Sequence, residues 1–160
     1  ADHETGGIAL GTGKYALNLK ALENQKASAE VLSKKISDLR KAKNNHVAWE
    51  DIKNLLSEEM GFWSVLPITW EQEKKLRDEY EKSFVRNKVE FAESMYAKTE
   101  PMAAKAKEVM DQIAMVGWTS GGHSAGYVPV FAIGAGSDLF IGKMDNTEIP
   151  KRIAKAGGYK

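Results

Sequence analysis

The middle of the chain carries apolar residues at the spacing of amphipathic helices. Between residues 28 and 115 they recur three and four positions apart, with charged residues between them. This is the period of a helix with one buried face. Ser28 and Thr69 stand where N-caps are expected, and Gly61 stands where a helix should end. Pro101 lies in the first turn of the final helix of this region. The pattern predicts a compact helical subdomain. The helix that begins at Thr69, or a further helix that follows it, should continue to residue 96.

Both ends of the chain have a different pattern. The apolar segment 8–10 and the alternating segment 15–19 flank a Gly-Thr-Gly turn, which predicts a β-hairpin. After the helical region glycines become frequent around the apolar run 128–133, which predicts a buried strand between glycine-rich loops. A last helix is expected from a cap at Thr147 to about Ala156.

Composition and charge narrow the function classes. The 23 basic and 22 acidic residues give a formal net charge of +1, and the lysines alternate with acidic residues instead of forming a basic block. No nucleic-acid partner is therefore indicated. The absence of cysteine excludes disulfides, thiolate metal sites and a cysteine nucleophile. No apolar run approaches the roughly 20 residues that a membrane span needs, so no membrane span is predicted.

The candidate chemistry lies in histidines. His3 and His123 occupy polar loops that contain glycines, whereas His46 follows two asparagines in a predicted helix connection and is interpreted as a solvated loop residue. Asp2 precedes His3, and an adjacent carboxylate and imidazole can both bind a cation such as zinc. Taken alone, these loops are consistent either with metal ligands or with ordinary turns.

Three motifs resemble the alkaline phosphatase family. The segment 1–7, Ala-Asp-His-Glu-Thr-Gly-Gly, is similar to the family motif whose aspartate and histidine bind one of two catalytic zinc ions. The segment 117–123, Gly-Trp-Thr-Ser-Gly-Gly-His, with the apolar run 128–134 after it, resembles the later motif whose histidine binds the other zinc. The segment 145–149 resembles the stretch that opens the family's last helix. Three motifs in the right order are far more specific than one.

The resemblance implies an α/β fold, namely a C-terminal fragment of the alkaline phosphatase fold with an incomplete sheet, flanking helices and a large inserted helical subdomain. Residues 1–22 and 116–160 correspond to the family core, and residues 23–115 to the insertion. The insertion accounts for a longer gap between His3 and His123 than in the better-known bacterial enzymes. It could form a lid, a dimer contact or a structural support.

The resemblance also implies the site and the reaction. Asp2 and His3 correspond to ligands of the zinc that holds the attacking serine, and His123 to a ligand of the zinc that holds the leaving-group oxygen. The intact enzyme is then expected to hydrolyse phosphate monoesters through a phosphoserine intermediate, with two zinc ions and magnesium. In the family, the nucleophile and the other ligands lie upstream of the aspartate-histidine motif. The fragment is therefore expected to have no catalytic nucleophile, to be inactive and to bind no catalytic metal alone.

A homodimer in the periplasm or outside the cell is implied for the intact enzyme. One departure from the family is the sequence Ser-Ala-Gly-Tyr at 124–127, where Thr-Gly-Glu-Asp is common. Two other functions remain open at this point. One is a helical interaction module without catalysis, and the other is a related metal-dependent hydrolase of phosphate diesters or sulfates. The run 128–134 and the motif 145–149 favour alkaline phosphatase over the second.

Overall fold

The chain forms two compact units. The computed structural model describes residues 3–4, 6–13, 15–93 and 98–159. One unit, here called the helical unit, is Ile8–Thr119, and the other, here called the histidine unit, combines Ala1–Gly7 with Ser120–Lys160. The architecture is mixed, with several helices and two small antiparallel sheets of two strands each. The division into a family core and an insertion at residues 23–115 stays a prediction.

Most of the α-helices lie in the helical unit, and the last one lies near the end of the histidine unit. The α-helices are α1 (Ala29–Ala42), α2 (Trp49–Met60), α3 (Trp70–Tyr80), α4 (Pro101–Ala114) and α5 (Glu148–Ala156). A π-helical turn, Glu81–Val85, continues α3, and 3-10 turns cover Leu19–Asn24 and Ser137–Phe140. None of the helices in the described part of the chain is long and apolar enough to cross a membrane.

The helix ends follow local signals, as the sequence predicts. The Ser28 hydroxyl accepts a hydrogen bond from the Val31 amide at 3.2 Å, which caps α1. Thr69 and Gln72 form a reciprocal capping box at the start of α3. Gly61 ends α2 at a φ of 71°, in the left-handed region where glycine has no Cβ penalty. The predicted start of α1, the predicted end of α2 and both predicted ends of α5 are confirmed.

The helices surround one apolar core. Helix α4 packs against both α1 and α3, and the side chains between them are almost fully excluded from solvent. The most deeply buried apolar residues of the described chain all belong to the helical unit: Leu32, Ile36, Ile52, Leu56, Phe62, Leu76, Met102 and Val109. Their helical spacing is the pattern that predicts a buried stripe on each helix.

The strands differ from the predicted hairpin. Strand β1 (Ile8–Leu10) pairs antiparallel with β4 (Val116–Trp118), with Leu10 opposite Val116. The hairpin prediction is therefore wrong, because the amides after β1, those of Gly11 and Thr12, donate to the Met115 carbonyl instead of closing a local turn. A second pair joins β2 (Ala92–Glu93) and β3 (Lys98–Thr99). The prediction that helical structure continues to residue 96 is also wrong for residues 86–93. Residues 94–97 lie outside the described part of the chain.

The apolar run 128–133 is not a buried strand. Phe131 is 88% exposed and Ile133 is 102% exposed, and within the described chain no backbone hydrogen bond involves this run. An apolar run becomes a buried strand only when neighbouring strands take up its amides and carbonyls. Such neighbours are absent among the described residues, so the prediction of burial is wrong for this chain.

Candidate functional site

Two histidines from distant parts of the sequence meet in the histidine unit. The rings of His3 and His123 are stacked, with centroids 3.7 Å apart and planes inclined by 29°. His3 is half-buried and His123 is exposed to solvent. The structure therefore brings together two of the three side chains that the sequence nominates as metal ligands.

A short antiparallel contact holds the two loops together. Glu4 and Ser124, each the residue after one of the histidines, form an isolated β-bridge. Ser120 adds a second backbone link, because its amide donates to the Gly6 carbonyl at 3.1 Å. The loops are thus joined by main-chain contacts at two points.

The register of this bridge explains why the rings meet. If this antiparallel register were extended by one residue, residue 3 would lie opposite residue 125, two positions beyond residue 123. Residues 3 and 123 would then be a diagonal pair on one face of the ladder, within reach of aromatic side chains. In the same register the side chains of Glu4 and Ser124 would point to the other face. The observed stacking of His3 on His123 agrees with this alternation.

The hydrogen bonding of His3 suits a metal ligand. Its Nδ1 lies 3.0 Å from the Glu4 carbonyl oxygen. A carbonyl oxygen can only accept, so Nδ1 carries the hydrogen in this contact and the lone pair of the neutral ring is on Nε2. Histidine ligands are commonly oriented in this way, with one ring nitrogen donating to a carbonyl and the other facing the metal.

Two further residues considered in the sequence prediction are Asp2 and His46. Asp2 lies outside the described residues. Within the described ranges, no group of three or more histidine, cysteine, aspartate or glutamate side chains has an arrangement that could hold a metal ion. His46 is exposed in the α1–α2 connection of the helical unit, with Nδ1 2.9 Å from the Asn44 carbonyl. Its interpretation as a loop residue agrees with that position.

The motif at 145–149 forms the start of α5. The Asp145 carboxylate accepts hydrogen bonds from the Thr147 hydroxyl at 2.7 Å and the Thr147 amide at 3.0 Å. These two bonds, the hydroxyl first, hold the pKa of the Asp145 carboxyl below its ordinary value. Thr147 is the N-cap as predicted, but its side chain makes no capping bond. Asp145 instead anchors the residue that begins the helix.

One residue of the site was missed by sequence reasoning. The Glu4 carboxylate accepts from the Gly7 amide and from the Ser124 hydroxyl, so it contacts both histidine loops. The only local indication in the sequence that Glu4 has a role is its position after a histidine and shortly before two glycines. The contact with Ser124 depends on how distant loops pair, which the sequence pattern did not reveal.

Comparison with known proteins identifies the family. The alkaline phosphatase family model matches residues 1–159, and the chain belongs to this family. The predicted resemblance of the chain to alkaline phosphatases is thereby confirmed.

Two curated relatives carry the same family name. Alkaline phosphatase 3 of Bacillus subtilis (strain 168) is 29% identical over 170 residues, which cover 99% of this chain and 29% of the relative. Alkaline phosphatase 4 of the same organism is 25% identical over 156 residues, covering 97% of this chain and 28% of the relative. The chain thus spans less than a third of the length of these relatives. No solved structure matches it.

Proposed function

We propose that this chain is the C-terminal portion of a metal-dependent alkaline phosphatase that hydrolyses phosphate monoesters. The observation that carries the proposal is the stacking of His3 on His123, with ring centroids 3.7 Å apart, in the two motifs that resemble the zinc-binding motifs of the family. In the intact enzyme Asp2 and His3 bind one zinc ion and His123 binds its neighbour. The serine nucleophile, the remaining zinc ligands and the magnesium ligands belong to the part of the fold outside this chain.

The donor set suits this role. Two-metal hydrolases hold their ions about 3.5–4 Å apart, so ligands of the two ions can come from loops that lie side by side, as those of His3 and His123 do. Imidazole and carboxylate are both common zinc ligands. When bound, the two ions lower the pKa of the nucleophilic hydroxyl and stabilise the charge on the leaving-group oxygen.

The chain's own residues orient the ligands. The Glu4 carbonyl accepts from His3 Nδ1, which fixes the ring and its tautomer. The main-chain link between Ser120 and Gly6 holds the His123 loop against the His3 loop. Residues 1–22 and 116–160 form part of the family core in this proposal, and residues 23–115 are an insertion. The intact enzyme is a homodimer that acts in the periplasm or outside the cell.

The first test is enzymatic. This chain alone is expected to hydrolyse p-nitrophenyl phosphate no faster than buffer with zinc and magnesium, because positioned ligands without a nucleophile lose most of the rate enhancement. A full-length chimera, in which this chain replaces the matching region of Bacillus subtilis alkaline phosphatase 3, is expected to show zinc-dependent turnover. Zinc-dependent turnover by the chain alone that is lost in His123→Ala would contradict the assignment of the nucleophile to another part of the fold.

The second test is calorimetric titration of zinc into this chain. We expect weak binding, because each ion would keep at most two protein ligands where zinc sites usually have three or four. Binding should weaken further in His3→Ala and His123→Ala, and it should be unchanged in His46→Ala, the matched control in the helical unit. Equal zinc binding by all four proteins would show that neither loop histidine is a ligand.

A further inference from the structure

We propose that Glu4 is a positioning residue that sets His123 against His3, so that the metal-binding geometry of both histidines depends on its carboxylate. The inference rests on the proposed function where it calls the histidines ligands. The role of Glu4 is to hold the two loops in register.

The carboxylate connects the loops through both of its oxygens. Oε1 accepts from the Gly7 amide and closes the turn that follows His3. Oε2 accepts from the hydroxyl of Ser124, the residue that follows His123. Hydrogen bonds to an ionised carboxylate are roughly twice as strong as those between neutral groups. One side chain therefore fixes the shape of its own loop and ties the other loop to it.

Packing around Glu4 supports the same role. A Cβ added at Gly126 would lie 3.1 Å from the Glu4 Cγ and 3.4 Å from its Cβ. The absence of a side chain at this position lets the second loop lie directly on the Glu4 stem. The Glu4 backbone also pairs with Ser124, so main chain and side chain make the same connection between the loops.

The geometry favours positioning over direct metal binding by Glu4. Strand alternation around the bridge between Glu4 and Ser124 would turn these two side chains away from the face that carries residues 3 and 123. Each Glu4 oxygen also accepts a hydrogen bond from the loop backbone or a hydroxyl. A glutamine could accept from the Gly7 amide and donate to the Ser124 hydroxyl, which makes Glu4→Gln a conservative variant that separates geometry from charge.

The test uses the full chain without metal and reads ring contacts by NMR. Wild type should show nuclear Overhauser cross-peaks between the His3 and His123 ring protons, as rings 3.7 Å apart require. These cross-peaks should be lost in Glu4→Ala and in Ser124→Ala, retained in Glu4→Gln, and retained in Glu30→Ala, a control at an exposed glutamate of α1. Circular dichroism should show unchanged helix content in all four variants.

Zinc added to the same samples separates this inference from the proposed function. Glu4→Ala should bind zinc about 10-fold more weakly than wild type, the lower end of the effect of losing an orienting partner. Cross-peaks that persist in Glu4→Ala would overturn the positioning role. Loss of zinc binding in Glu4→Gln with intact cross-peaks would also overturn it, since the carboxylate would then act as a ligand. If the histidine NMR signals of the wild type do not change when zinc is added, the metal role is refuted. The contacts between the two rings would then still test the role of Glu4.

Discussion

Replacing Glu100 by alanine is expected to destabilise the helical unit by about 3–5 kcal/mol, the cost of leaving the partner of a buried ion pair alone. Glu100 is 1% exposed and its Oε1 accepts from Arg40 Nη2 at 2.8 Å. Removing the carboxylate would leave the largely buried guanidinium without its counter-ion. Urea unfolding followed by circular dichroism measures the change in free energy.

The same carboxylate has a second function, which adds to the expected loss. Glu100 Oε2 accepts from the amides of Met102 at 2.7 Å and Ala103 at 3.3 Å, so the side chain caps α4. The Glu100 amide in turn donates to the Ser33 hydroxyl at 3.0 Å. A cap alone contributes about 1 kcal/mol. Because α1 supplies Ser33 and Arg40, the carboxylate also connects the start of α4 to α1.

A matched control is Glu108→Ala, which removes the same group from the surface of α4. Glu108 pairs with Lys75 and Lys105, but its side chain is 43% exposed. Pairs of this kind contribute about 0–1 kcal/mol. Glu100→Gln should fall between the two, because an amide oxygen can still cap the helix while the charge is lost. Equal losses for Glu100→Ala and Glu108→Ala would refute the role of the buried ion pair.

The helices could be predicted from the sequence because their signals are local. The caps Ser28 and Thr69 and the terminator Gly61 act within one turn of the helix that they bound. The apolar spacing that marks each helix is also the spacing of the buried core. The cap of α4 was not predicted, since a glutamate at that position is unusual and its burial depends on Arg40.

The errors fall where a segment needs a distant partner. Strand β1 was assigned to a hairpin, but its partner β4 follows α4 at the far end of the helical unit. The run 128–133 has the composition of a buried strand, yet Ile133 is fully exposed. The spacing and composition of apolar residues show which face of a segment can be buried. They do not show which neighbouring segment is present to cover that face. This chain spans less than a third of the length of its relatives.

The site was predictable only in part for the same reason. Motif resemblance nominated His3 and His123, and the structure places their rings in contact. The third nominated residue, Asp2, lies outside the described residues and its role stays a prediction. Glu4 was missed because its importance depends on the bridge to Ser124, a contact between loops at opposite ends of the sequence.

In the full-length chimera with Bacillus subtilis alkaline phosphatase 3, His123→Ala is expected to lower kcat/KM for p-nitrophenyl phosphate about 10³-fold, or about 4 kcal/mol of transition-state stabilisation. The reason is that a zinc ion held by His123 would stabilise the leaving-group oxygen, so its loss would act on charge that develops during bond cleavage. Because that charge appears only in the transition state, kcat should fall more than KM rises. Steady-state kinetics at several zinc concentrations provide the measurement.

Zinc content and a control variant distinguish a lost ligand from general damage. Elemental analysis should show that His123→Ala loses zinc relative to the parent chimera, and high zinc should restore part of the rate if the site is weakened but not destroyed. His46→Ala is the control, since His46 is exposed in the helical unit, and its kcat/KM should match that of the parent. A His123→Ala chimera with full zinc content and activity within tenfold of the parent would remove His123 from the metal site, and the contact with His3 would then need a purely structural explanation.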